Sequence, residues 1–142
     1  MPCTRAEARD ALVALVNDAA CGVSPEPLLV LWDDNEADVP REAIPWARTT
    51  IAHLTGQDAG LAGSSGSRRY ERVGVITVQI FTPSGDGLSL SDDLVAIIQG
   101  ALQGVSTPEG VWIRSVTANE VGSDGPWFQV NVTGTFLYDE LA

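Results

Sequence analysis

The stretch "RRYERVGVITVQIFTPSGDG", Arg68 to Gly87, decides how this chain is read. From about Arg69 to Thr82 it is rich in β-branched and aromatic residues, and Pro83-Ser-Gly-Asp-Gly87 stops it. It reads as one strand more than twice the usual length of about 5–6 residues. Such a strand spans roughly 45 Å. Val73, Val75 and Phe81 project to one face, and Tyr70, Ile76, Val78 and Ile80 to the other. Both faces are apolar toward the middle and end, which predicts cover on two sides there. The beginning, Arg68 to Arg72, is charged and needs no cover.

Working outward, Trp46 to about Leu54 carries Thr49, Thr50 and Ile51 and predicts a partner strand. Between the two lies Gly56 to Ser67, with four glycines and three serines, the composition of a pliable loop. A strand pair of that length with such a tip either bends, at Gly74 or a bulge, or protrudes. A protruding pair exposes backbone donors and acceptors that need shelter, and a neighbouring subunit supplies it most simply. The residues expected at that contact are Gly63, Ser64, Ser65, Arg68, Arg69, Tyr70 and Arg72.

Toward the N-terminus, Thr4-Arg-Ala-Glu7 has the capping-box form. Ala8, Ala11, Leu12, Leu15, Val16 and Ala19 follow at helical spacing, so Thr4 to about Ala20 is an amphipathic helix ended by Gly22. Leu28 to Trp32 is a short apolar run that reads as a buried strand. Toward the C-terminus a second helix is expected near Ser89 to Gln103. Its stripe is Leu90, Leu94, Ile97, Ile98, Ala101 and Leu102, and Asp92 and Asp93 suit the positive end of its dipole. Val111 to Val121 and Trp127 to Tyr138 then form a hairpin about Gly-Ser-Asp-Gly-Pro. The order is α-β-β-β-α-β-β. It predicts a single α+β domain over residues 1–142, a largely antiparallel or mixed sheet of about five strands with both helices on one face.

Composition narrows the function. Eight Lys+Arg against 19 Asp+Glu give a net charge of −11, which repels nucleic acid and anionic lipid. No apolar run approaches the roughly 20 residues that cross a bilayer, and no secretory leader is visible. Cys3 and Cys21 flank the first helix, about 27 Å apart if it is intact. That is beyond disulfide reach and implies free thiols, as in a reducing cytoplasm.

The chain offers little to catalysis. His53 is the sole histidine, it lies in a predicted strand, and no nucleophile-elbow sequence accompanies it. One histidine and two distant cysteines give no zinc spacing. Gly85-Asp-Gly87 resembles the start of a dinucleotide fingerprint, but Leu90 stands where a third glycine belongs and the neighbouring aspartates repel phosphate. Asp33 to Asp38 resembles a cation loop, yet Ala37 and Asp38 fail at positions needing an oxygen and a glycine. No enzyme, no metal and no cofactor is expected. Trp32, Trp46, Trp112 and Trp127 lie on or beside strands, where core packing is the first explanation and an interface anchor the second.

The order of segments, together with Arg68 to Gly87, Val111-Trp-Ile-Arg114 and Gly125-Pro-Trp-Phe-Gln-Val-Asn-Val132, resembles the tail-terminator-like proteins of long-tailed, siphovirus-type phages. The resemblance covers nearly the whole chain, and its most specific part is Arg69 to Gly87. It implies a structural virion protein of the tail or neck, assembled in the host bacterial cytoplasm. Such a protein stops growth of the tail tube as a homo-oligomeric ring, typically a hexamer, and presents a surface to the head connector. Its implied partners are copies of itself, the tail tube protein and the head–tail connector, with DNA only passing through the lumen and no membrane. A lumen lined with carboxylates would let DNA slide past unbound. Another neck or head–tail joining component, or a small cytoplasmic binding module or enzyme with an unseen ligand, are the competing expectations.

Overall fold

The computed structural model describes residues 3–23, 28–32, 44–58, 69–85 and 88–141. Its elements are α1 (Arg5–Cys21), β1 (Leu29–Trp32), β2 (Trp46–Asp58), β3 (Arg69–Pro83), α2 (Ser89–Leu102), β4 (Trp112–Asp124) and β5 (Trp127–Leu141). The five strands make one sheet in the order β1-β2-β3-β5-β4. The β1–β2 pair is parallel and every other pair is antiparallel, so this is a mixed sheet in an α+β fold.

The N-terminal capping box is present. The Thr4 hydroxyl accepts from the Glu7 N–H and the Thr4 N–H donates to the Glu7 carboxylate. Those bonds satisfy backbone groups that the first turn leaves without partners. The core lies between the helices and one sheet face. Leu12 and Val16 of α1 and Leu94, Ile98 and Leu102 of α2 meet Ile76, Val78, Ile80, Val132 and Phe136. Burying each of these side chains stabilises the fold by about 1.5–3 kcal/mol.

The single long strand is borne out: β3 pairs with β5 without a register shift from Arg69↔Leu141 to Pro83↔Trp127. Other expectations need correction. The bulge lies on β2, between His53 and Gly56. Nor is β3 half of a protruding two-stranded ribbon. It is the central strand, with β2 on one side and β5 on the other even at its charged end, so neighbours in the same chain satisfy its backbone. Cover on two sides also fails, because among the described residues the helices lie on one face only. Ile76, Val78 and Ile80 are fully buried, whereas Val73, Val75, Thr77, Gln79 and Phe81 are half-buried. The alternation was misjudged because Thr77 and Gln79 occupy the middle of the second face.

Smaller corrections follow the same geometry. Ile97 is exposed, since α2 buries Ser91, Leu94, Ile98 and Leu102, a narrower stripe than expected. The Leu28–Trp32 run supplies β1, the edge of the sheet among the described residues, and is buried only in part: Leu28 and Leu31 lie in the core while Leu29 is exposed. The expectation of free thiols holds: Cys3 is buried and Cys21 exposed, and neither is in a disulfide.

Candidate functional site

Two surfaces stand out: the helix-free face of the sheet and a cleft at its charged end. On the helix-free face the register aligns side chains in rows across strands. Thr50, Thr77, Thr133 and Thr117 form one row across β2, β3, β5 and β4. Arg48, Gln79, Asn131 and Asn119 form the next. Within it the Gln129 amide donates to Asn131 Oδ1 at 2.8 Å from the row beyond. At one corner Trp46 stacks on Phe81 at 4.1 Å, meets Trp127 edge-on at 5.9 Å and lies under the Arg48 guanidinium. Only Trp46 of the four tryptophans is fully buried; Trp32, Trp112 and Trp127 are half-buried. The central rows thus carry hydroxyls and amides with one cation, Arg48, a polar surface with little charge.

Among the described residues the acidic side chains sit away from these central rows, with Glu71 and Asp139 paired in register at the charged end of the same face. Glu7, Asp10 and Asp18 of α1 and Asp92 and Asp93 of α2 are exposed on the helix layer. A lumen lined by the sheet would therefore carry few carboxylates at its centre, whereas the helix layer would present the aspartates and Glu7.

The sheet edges are irregular. β4 is an outer strand with two register shifts, between Arg114 and Thr117 and between Glu120 and Gly122. Ser115 adopts φ 54° at the first and Gly122 φ 108° at the second. Bulges of this kind re-aim an edge and discourage strand addition by another chain.

The cleft, about 220 Å³, is lined by Arg5, His53, Leu54, Arg72, Tyr138 and Glu140. α1 brings Arg5 because its capped first turn packs beside the ends of β3 and β5, where the Cys3 N–H donates to the Asp139 carbonyl at 2.8 Å. The pairings His53↔Gly74, Gly74↔Phe136 and Arg72↔Tyr138 fix the strand residues. Gly74 is required at this point, because a Cβ there would overlap the Phe136 ring and approach the Ala52 carbonyl oxygen at 2.5 Å.

Arg72 pairs with Glu140, Nη2 at 3.1 Å and Nε at 3.2 Å from Oε1, while its guanidinium lies over Tyr70. The His53 ring stands perpendicular to Phe136 at 5.4 Å and Tyr138 at 5.9 Å, with Arg9 Nη2 at 3.5 Å from its Nδ1. Burial, with Arg5 and Arg9 nearby, lowers its pKa from the ordinary 6.5. Burial, with Glu7 and Glu140 nearby, pushes the Cys3 thiol up to about 11, so it is an inert protonated thiol.

Of the residues expected at an assembly contact, Tyr70 and Arg72 come together beside this cleft. The Arg69 backbone begins β3. Gly63, Ser64, Ser65 and Arg68 lie outside the described residues, as do the acidic stretch Asp33 to Asp38 and the Asp86-Gly87 dipeptide. Arg5, Arg9 and Glu140 were missed, since nothing in local sequence ties the start of a helix to the end of the last strand. The i, i+4 spacing of Arg5 and Arg9 was the one available signal.

Among the described residues no group of three or more His, Cys, Asp or Glu is placed to hold a metal ion. No helix among them is long and apolar enough to cross a membrane. No family model and no curated protein matches the chain. Nineteen solved chains do match. One of them, which carries only a sequence identifier for a name, aligns with a TM-score of 0.71 and 17% identity over 95% of each chain. That likeness shows the fold and says nothing of function.

Proposed function

We propose that this chain is the subunit of a phage tail terminator, a ring that caps the growing tail tube and meets the head connector. The observation that carries the reading is the one-sided sheet. Strands of 13–15 residues run side by side, yet helices cover one face alone among the described residues. An isolated domain of this size has little use for so broad a flat surface, whereas a ring subunit must present surfaces to neighbours, tube and lumen at once. The central rows, hydroxyls and amides with the single cation Arg48, suit contact with protein, and they suit a passing polyanion as well, because retention of DNA by counterion release needs several Lys or Arg together. Bulges on β4 favour ring contacts made through side chains over contacts made by a continuous intersubunit sheet. The resemblance at Arg69 to Gly87 supports the same reading, and so does the overall acidity.

A second reading, a small binding module, draws on the cleft, where several polar side chains converge. Static light scattering with and without tail tube protein separates the two. The terminator reading expects a mass several times that of one chain, either alone or once tube protein is added. Deleting Gly60 to Gly66 is expected to leave a folded monomer that forms no ring. Unfolding of that variant, or normal ring formation by it, contradicts the assembly role of this segment.

A further inference from the structure

All eight basic residues of the chain are arginines, against 19 acidic ones, so cations are scarce and their placement is informative. Arg5 and Arg72 line the cleft, and Arg9 stands beside its wall at His53. Glu140 occupies Arg72 and, among the described residues, leaves the guanidiniums of Arg5 and Arg9, one helical turn apart on α1, without a carboxylate partner. Among the described residues neither makes an ion pair within the chain. The cleft is thus a positive spot on a chain of net charge −11. Its remaining walls are Tyr138 and the aliphatic Leu54, the latter 56% exposed.

We infer that this cleft is a seat for a carboxylate side chain on another polypeptide, with Arg5 and Arg9 gripping the carboxylate and Leu54 covering its methylene stem. The Arg72–Glu140 pair already displays the chemistry within the chain, a guanidinium holding one carboxylate oxygen through two nitrogens. A side chain fits better than a free ion, because a mineral anion makes no use of Leu54. The inference does not depend on ring formation and can be tested on the monomer.

His53 makes the test direct, since it is the sole histidine and lines the same cleft. Its ring resonances are followed by NMR at fixed ionic strength during titration with a blocked Ala-Glu-Glu-Ala peptide. The same titration is repeated with Ala-Gln-Gln-Ala and with inorganic phosphate. Among the described residues around the ring, Arg5, Arg9 and Arg72 are the cations, Glu140 the anion and Tyr138 the other titratable group, so a bound carboxylate opposes the arginines and raises the His53 pKa. The expected result is a saturable shift with the glutamate peptide and none with the glutamine peptide. R5Q and R9Q, both at exposed helical positions, are expected to weaken binding about tenfold each while the circular dichroism spectrum stays unchanged. Equal effects of the two peptides overturn the inference. So does saturation by phosphate without competition from the glutamate peptide, and so does undiminished binding by both variants.

Discussion

The two faces of the sheet are written by the same strands and have opposite chemistry. Along β5 the sequence Gln129-Val-Asn-Val-Thr-Gly-Thr-Phe136 sends Val130, Val132 and Phe136 to the helices, and Gln129, Asn131, Thr133 and Thr135 to the other side. β3 repeats the pattern with Ile76, Val78 and Ile80 against Thr77 and Gln79. Selection for stability alone would tolerate many polar residues on an open face. The matched rows, threonine across four strands and then three amides with Arg48, are a surface of consistently polar character. One face holds the domain together, and the other carries no helix among the described residues.

That contrast breaks most readily at Phe136. F136A is expected to cost about 3–5 kcal/mol, since it empties the junction of sheet, His53 and helix layer. T133A, three residues away on the other face, should stay within about 0.5 kcal/mol. Urea unfolding of the pair measures both, and equal losses would erase the distinction between faces. Next in size, G74A on the helix-covered side should cost about 1–3 kcal/mol by the same assay, because its methyl group has no room beside Phe136. R72Q removes a half-exposed ion pair and should cost about 0.2–1 kcal/mol.

The smallest effect is one of pH. Burial and the nearby arginines hold the folded-state pKa of His53 below 6.5, so on acidification the unfolded chain takes up this proton first. The resulting stability is full above pH 6.5 and is lost as pH falls from there toward the lowered folded value. Denaturant midpoints at pH 7.5 and 5.5 should therefore differ more in the parent than in H53Q.

Most of the architecture was legible because it rests on local signals. The Thr4 to Glu7 cap, the Pro83 stop and the alternation in β5 each act within a few residues. The long strand was recognised for the same reason. What failed depended on distant partners. Whether β3 is an edge or a centre is decided by β5, about 60 residues later, and its second face is judged only when Thr77 and Gln79 are seen beside Thr133 and Asn131. The cleft escaped for a like reason, since its walls come from α1, β2, β3 and β5 and no window of sequence contains them together.

The central claim is that the helix-free face is covered by other protein chains in an assembly. Light scattering of the parent chain and of a T77R/T133R double variant, each with and without tail tube protein, tests it most directly. The account predicts a multiple of the single-chain mass for the parent, and a variant that stays monomeric with an unchanged unfolding midpoint. A parent that remains a monomer under both conditions, or a variant that assembles as well as the parent, would contradict it.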